Sequence, residues 1–202
     1  MSLAVIQSFG KASDMSVHPL GSDVNMSYPN GDMSRSAQIE VIRATAEQIP
    51  ILANLIELYA HDFSEFHHLE LGADGKFGIA PLPLYWSDPN RHPFLVRVDD
   101  KLAGFVLVTR TSSVWDMAEF FVVRGYRRRG IGTAIAHDVW RRFPGLWEVR
   151  VMQANHSALH FWERAISEFT GQPIRPTPFE KDGKSWKLFT FDSTPSGVDA
   201  SS

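Results

Sequence analysis

From residue 37 onward, short runs of alternating apolar residues take turns with longer stretches in which apolar residues recur every three or four positions. Gln38 to Thr45 alternates, with Ile39 and Val41 between polar neighbours, and predicts a strand. Thr45 then stands where a helix cap belongs, ahead of Ile49, Leu52, Leu55, Ile56 and Tyr59 on one helical side. Pro50 falls in the first turn, where proline is tolerated. Residues 61–92 are less regular and predict a short helix and a long loop.

The middle of the chain reads as sheet. Residues 93–110 hold two apolar runs around Asp99-Asp100-Lys101, a hairpin signature, and residues 117–123 (MAEFFVV) are apolar enough for a central strand. Ile131, Ile135, Val139 and Phe143 recur every fourth position and mark one helical face, which Pro144-Gly145 ends. Residues 146–152 predict another strand. Asn155 can cap a helix with Ala158, Phe161, Trp162, Ala165 and Ile166 inward. Two last strands, about 173–179 and 185–191, flank an Asp182-Gly183 turn. The order is roughly β α (α) β β β α β α β β. It predicts an α/β fold with a mixed central sheet flanked by helices.

Residues 1–36, rich in Ser, Gly, Asp and Met, read as a disordered leader. Residues 37–192 form the expected domain, and residues 193–202 a flexible tail. Apolar residues make up 44% of the 202 and charged residues 21%, which suits one packed domain. The net charge of −3 argues against a general nucleic-acid binder, so any basic patch is local. Cysteine is absent, which removes disulfides, thiolate metal sites and a cysteine nucleophile, and fits a cytoplasmic location. No run approaches the ~18 apolar residues of a membrane span, and residues 1–36, without a basic region followed by an apolar one, do not read as a secretory signal.

The most informative stretch is Arg124 to Ala134, RGYRRRGIGTA, with four arginines and three glycines. It could be an exposed basic turn, a nucleic-acid contact or a phosphate cradle. Its position favours the cradle: an apolar strand ends at Val123 and a helix begins near Ile131. A helix N-terminus offers unpaired N–H groups and a positive dipole end to an anion. Gly130 and Gly132 would let a diphosphate approach the backbone, and Arg127, Arg128 and Arg129 would line the rim. A P-loop is absent, and a dinucleotide fingerprint starting at Gly130 would need glycine where Ile135 stands.

Arg127-Arg128-Arg129-Gly130-Ile131-Gly132 after a strand resembles the Arg/Gln-x-x-Gly-x-Gly/Ala signature of the GNAT family of N-acetyltransferases. Residues 118–135 look like the family's strand–loop–helix unit. VMQANHSALHFWERAI (151–166) looks like its last strand with an Asn-x-x-Ala helix. The resemblance covers most of residues 38–192. It implies a GNAT-like, mostly antiparallel sheet and acetyl-CoA as cosubstrate, without a metal. The diphosphate would lie on Arg127 to Thr133, including Ile131. The pantetheine arm would lie between splayed strands 117–123 and 146–152, beside Phe121, Val122, Val123 and Asn155. Glu119, in the family's acidic slot, is the implied general base, with a backbone N–H near Val122 as oxyanion donor. A salt-bridged carboxylate at the sheet end is the structural alternative for Glu119.

The acceptor implied is a primary amine on a small molecule or peptide, with no nucleic-acid or membrane partner; a homodimer is compatible. Trp162 stands where the family often carries a tyrosine acid. The acid role is left open among Tyr126, Tyr59, Tyr85, His160 and water, and an acyl-CoA-binding sensor is kept as the alternative function. His156 and His160 have metal-ligand spacing but no third ligand, and read as surface residues. Tyr85, Trp86, Phe63, Phe66 and Phe77 read as a satellite core or as a pocket wall. Asp62, Glu65 and Glu70 read as a solvated acidic face or an attraction for a cationic acceptor.

Overall fold

A computed structural model describes residues 37–78 and 82–195. The expected leader lies outside the described residues, as does the tail beyond residue 195. Ser193, the first residue of that tail, is buried, and its hydroxyl lies 3.3 Å from each of the carbonyl oxygens of Trp140, Phe143 and Gly145, any one of which can accept its proton.

Seven strands form one sheet: β1 (Ile39–Arg43), β2 (Arg91–Val98), β3 (Lys101–Thr111), β4 (Val114–Val122), β5 (Leu146–Met152), β6 (Thr177–Lys181) and β7 (Lys184–Asp192). Their spatial order is β1-β2-β3-β4-β5-β7-β6. All neighbours run antiparallel except β4 and β5, which are parallel. The mixed, mostly antiparallel sheet is the expected one. The β2–β3 turn falls at Asp99 and Asp100, both at positive φ, and the β6–β7 turn at Asp182 and Gly183, also both positive. These are the dihedrals that tight hairpins require.

The helices are α1 (Ile49–Phe63), α2 (Leu84–Ser87), α3 (Ile131–Arg142) and α4 (His156–Thr170). Thr45 precedes a single 3-10 turn, Ala46–Gln48, and its N–H donates to Gln48 Oε1 at 3.0 Å before α1 begins. Among its described residues, the irregular 61–92 region contributes the end of α1, the four residues of α2 and the start of β2. Asn155 caps α4 as expected, its Oδ1 accepting from Ala158 N–H at 3.0 Å.

Helices α3 and α4 cover one face of the sheet. Ile135, Val139, Trp140, Ala165 and Ile166 pack there against Val106, Trp147, Val149 and Phe189. Helices α1 and α2 cover the other, where Leu52, Leu55, Ile56 and Tyr85 meet Leu95, Phe105, Leu107 and Phe121. Two irregularities in β4 then shape what lies between the helical layers. Its register against β3 passes from Val108↔Met117 to Leu107↔Glu119, so Ala118 is an extra residue, a β-bulge. And β4 pairs with β5 only at Trp115↔Trp147 and Asp116↔Glu148. Past that vertex the two strands diverge.

Candidate active site

The gap between β4 and β5 is the centre of the site. Because the bulge inserts one residue, Ala118 and Phe121 face α1, while Met117 and Val122 face α3 and α4. Glu119 follows the bulge, and the hydroxyl of Tyr59 on α1 donates to its Oε2 at 2.6 Å. Burial, and then the Glu119 charge, hold the Tyr59 phenol well above its usual range, so it keeps its proton at neutral pH. Tyr85 is raised as well, first by burial and then by Glu119.

The backbone of β4 divides its groups between β3 and the gap. Val123 N–H donates to Ala103 O at 2.8 Å. In an antiparallel ladder, alternate residues turn toward the partner, so Phe121 and Val123 serve β3. The N–H and C=O of Phe120 and Val122 therefore face the gap. Of the three residues at the end of β4 expected beside the pantetheine, only Val122 has its backbone turned that way; Phe120, which the sequence reading passed over, joins it. The Val122 carbonyl already accepts from Arg127 Nε at 2.6 Å. Gly104 makes this close approach of β3 and β4 feasible, because a Cβ there would lie 2.0 Å from Phe121 O.

Beyond Val123 the chain makes a 3-10 turn, Arg124–Tyr126, and then the loop that enters α3. Gly130 caps the helix at φ 74, a left-handed conformation that favours glycine. The first intrahelical hydrogen bond is Ala134 N–H to Gly130 O, so the N–H groups of Ile131, Gly132 and Thr133 precede the ladder and are open to an anion. Arg128 and Arg129 are exposed on the rim.

Arg127 departs from its expected place. Its guanidinium bonds Asp62 on α1, stacks 5.6 Å from the Phe121 ring centroid and holds Val122 O. Arg124 joins it on Asp62, Nε donating to Oδ1 at 3.0 Å. Burial pulls the Asp62 carboxyl upward, but the hydrogen bonds and charges of Arg127 and Arg124 outweigh it and leave the group below its usual range. Asp62, with a side chain 19% exposed, is thus neither a solvated charge nor an acceptor lure. It moors the basic loop to α1. A contact spanning 65 residues leaves no local pattern that could have disclosed it.

Gly132 has a second reason beside the expected one: a Cβ there would sit 3.1 Å from Phe161 on α4, so its smallness also serves helix packing. Trp162 is a core residue, edge-on to Phe120 at 5.0 Å and packed near Trp140. Asn155 is spent on its cap at the end of β5. His156 and His160 are exposed, and no group of three metal-ligating side chains occurs among the described residues.

At the vertex of the gap, on the α1 face, Asp116 bonds Arg150 of β5 and accepts from Thr109 Oγ at 3.3 Å. Asp116 is 5% exposed, and burial pushes its carboxyl up despite the arginine. Neither Asp116 nor Arg150 carried any signal in the sequence.

The family model for the GNAT acetyltransferases matches residues 52–166, the stretch from α1 through α4. The chain belongs to the GNAT acetyltransferase family. Solved structures similar to this family member share its fold at low identity. An acetyltransferase from Thermus thermophilus is 14% identical with a TM-score of 0.58, over 76% of this chain and 96% of its own. A GNAT acetyltransferase from Elizabethkingia anophelis with acetyl-CoA bound is 13% identical with a TM-score of 0.51, over 76% and 97%. The spermidine N-acetyltransferase of Vibrio cholerae, in complex with CoA and spermine, is 14% identical with a TM-score of 0.55, over 77% and 96%. None of the curated proteins compared matches the chain. Among the described residues no helix is long and apolar enough to cross a membrane.

Proposed function

We propose that this protein is an N-acetyltransferase that moves an acetyl group from acetyl-CoA to a primary amine directly, within a ternary complex. The observation that carries the reading is the divergence of β4 from β5 beyond Asp116 and Glu148, with outward-facing backbone along one wall and the basic α3 N-terminus at its end. An extended amide-bearing chain fits such a wall, and a diphosphate fits such a terminus.

The N–H groups of Ile131, Gly132 and Thr133, with Arg128 and Arg129, would hold the diphosphate. Arg127 acts one step back, fixing the loop through Asp62. Phe120 and Val122 would offer backbone hydrogen bonds to the pantetheine arm. Acetyl-CoA supplies an activated acyl thioester when bound.

The chain's own task is to deliver a neutral amine. A lysine-like ammonium has a pKa near ~10.4 and no lone pair to attack with. Glu119, on the α1 face of the gap, would take that proton, and the Tyr59 hydroxyl that donates to its Oε2 supports this by orienting the carboxylate. The Val122 N–H faces the gap and is suited to a developing oxyanion. Trp162, buried, takes no part in proton transfer. The spermidine N-acetyltransferase neighbour supports an amine acceptor on this fold; at 14% identity its choice of amine does not carry over.

Release of free thiol from acetyl-CoA, measured against a panel of monoamines, amino acids, polyamines, aminoglycosides and peptides, tests the reading. Turnover with at least one amine is expected. Saturable CoA binding with no turnover across the panel would replace it with a sensor that binds acyl-CoA.

A further inference from the structure

The β6–β7 hairpin carries polar side chains that acetyl transfer leaves unused. Lys184 opens β7, and its Nζ lies 2.8 Å from both ring nitrogens of His67. No carboxylate is ion-paired with Lys184 among the described residues. Burial, then the Lys184 charge, hold His67 below its usual range, so the histidine adds no second cation at neutral pH. Two residues on, and on the same face of β7, Trp186 is only 7% exposed and its indole Nε1 has no hydrogen-bond partner. A buried donor without an acceptor is uncommon and calls for an explanation.

These groups share one apolar floor with the reacting end of the site. Phe63, Met152 and Trp186 pack together, with Phe66, Leu69 and Phe179 around them. The His67 ring meets Phe63 edge-on at 6.2 Å, and Phe63 lies 5.8 Å from Tyr59, whose hydroxyl holds Glu119. His67 N–H bonds Phe63 O, so Tyr59, Phe63 and His67 follow a single helical row. Two turns of rise separate its ends by ~12 Å. A base therefore stands at one end of an apolar track and an unpaired cation at the other.

We propose that Lys184, His67 and Trp186 form a carboxylate subsite for the far end of the acceptor. The acceptor is then an amine joined through an extended, largely apolar spacer to a carboxylate, as in an ω-amino acid or a short peptide. The ammonium would oppose Glu119, and the carboxylate would accept from Lys184 and from the unmet Trp186 N–H. A polyamine would instead set a second ammonium against Lys184. The amine half of this assignment rests on the acetyl-transfer reading; the carboxylate half does not.

Two measurements on the full chain, the first with acetyl-CoA as acyl donor and the second with CoA bound, separate the two. The first is the ratio of kcat/KM for 6-aminohexanoate over hexylamine. It is expected to exceed ten in the wild type and to fall about tenfold or more in Lys184→Gln, the loss expected for one charge-assisted hydrogen bond. A ratio at or below one, or a ratio unmoved by Lys184→Gln, overturns the subsite while leaving acetyl transfer standing. The second is the indole 1H–15N resonance of Trp186, identified by its loss in Trp186→Phe. It is expected to shift on titration with 6-aminohexanoate and to stay put with hexylamine. If neither amine is acetylated, this resonance alone decides: a selective shift supports the subsite, and its absence overturns it.

Discussion

The Tyr59 hydroxyl donates to Glu119 across the sheet face at 2.6 Å, joining α1 to the strand that borders the gap. A carboxylate held by a donor to its charged form binds a proton less tightly. Tyr59→Phe is therefore expected to move the acid limb of the kcat/KM profile to higher pH, since Glu119 must be ionised to accept a proton. Glu119→Gln is expected to lower kcat by about 10²-fold or more while leaving the CoA Kd unchanged. An unchanged kcat in Glu119→Gln would remove Glu119 from the mechanism.

Asp62 holds Arg124 and Arg127 and so shapes the loop that leads into α3. Its folded carboxyl is depressed below the unfolded value of ~3.9. The stability it contributes is thus present above that value and fades as pH falls through the lower, folded one. Asp62→Asn is expected to weaken CoA binding about tenfold through loop disorder and to flatten the acid side of the stability curve below about pH 4. Isothermal titration with CoA and urea melts from pH 2.5 to 7 read both effects; an unaltered CoA Kd would show that the loop stands without its mooring.

Arg150 reaches from β5 to Asp116 where the two central strands part. Removing one partner of a buried pair leaves the other uncompensated, at a cost of about 3–5 kcal/mol. Arg150→Met should lower the urea midpoint accordingly. Adding Asp116→Asn to it should recover much of the loss, because the orphaned charge is gone. Additive losses in the double variant would mean that the pair is not coupled.

A Cβ on Gly132 would lie 3.1 Å from the Phe161 ring, closer than ordinary contact. Alanine gains about 1 kcal/mol in helix propensity and meets that ring. Gly132→Ala is expected to be neutral or mildly destabilising alone, and stabilising by about 0.5–1 kcal/mol in a Phe161→Leu background. A thermal-melt cycle over the four proteins tests it. If Gly132→Ala instead leaves stability alone and abolishes CoA binding, close diphosphate approach, and not helix packing, is what keeps the glycine.

The strands and helices were legible because each is announced locally. Alternation gave β1, apolar runs gave β2 and β3, four-residue periodicity gave α3, and the turn residues at 99–100 and 182–183 marked both hairpins. The loop motif placed the α3 N-terminus. The β4 bulge was not legible, because an extra residue is defined only against a partner strand. For the same reason the sequence could not say whether Phe121 or Val122 shows its backbone to the gap. Asp62 looked like a surface acid because its partners, Arg124 and Arg127, lie 62 and 65 residues further along the chain. Pairing of Asp116 with Arg150 likewise needs the β4–β5 vertex to exist first. Gly132 fitted its motif for one reason and its helix for another, and only the position of Phe161 separates them.

The last two turns of α1 touch three things at once: Glu119 through Tyr59, the basic loop through Asp62, and the Lys184 cluster through Phe63. A helix with three such attachments acts as a common axle. A change that tilts it to admit a different acceptor also drags on the loop that receives the cosubstrate. Variants in α1 should therefore show acceptor KM and CoA Kd moving together, and selection for a new amine will find freer ground on β7, which touches only one of the three.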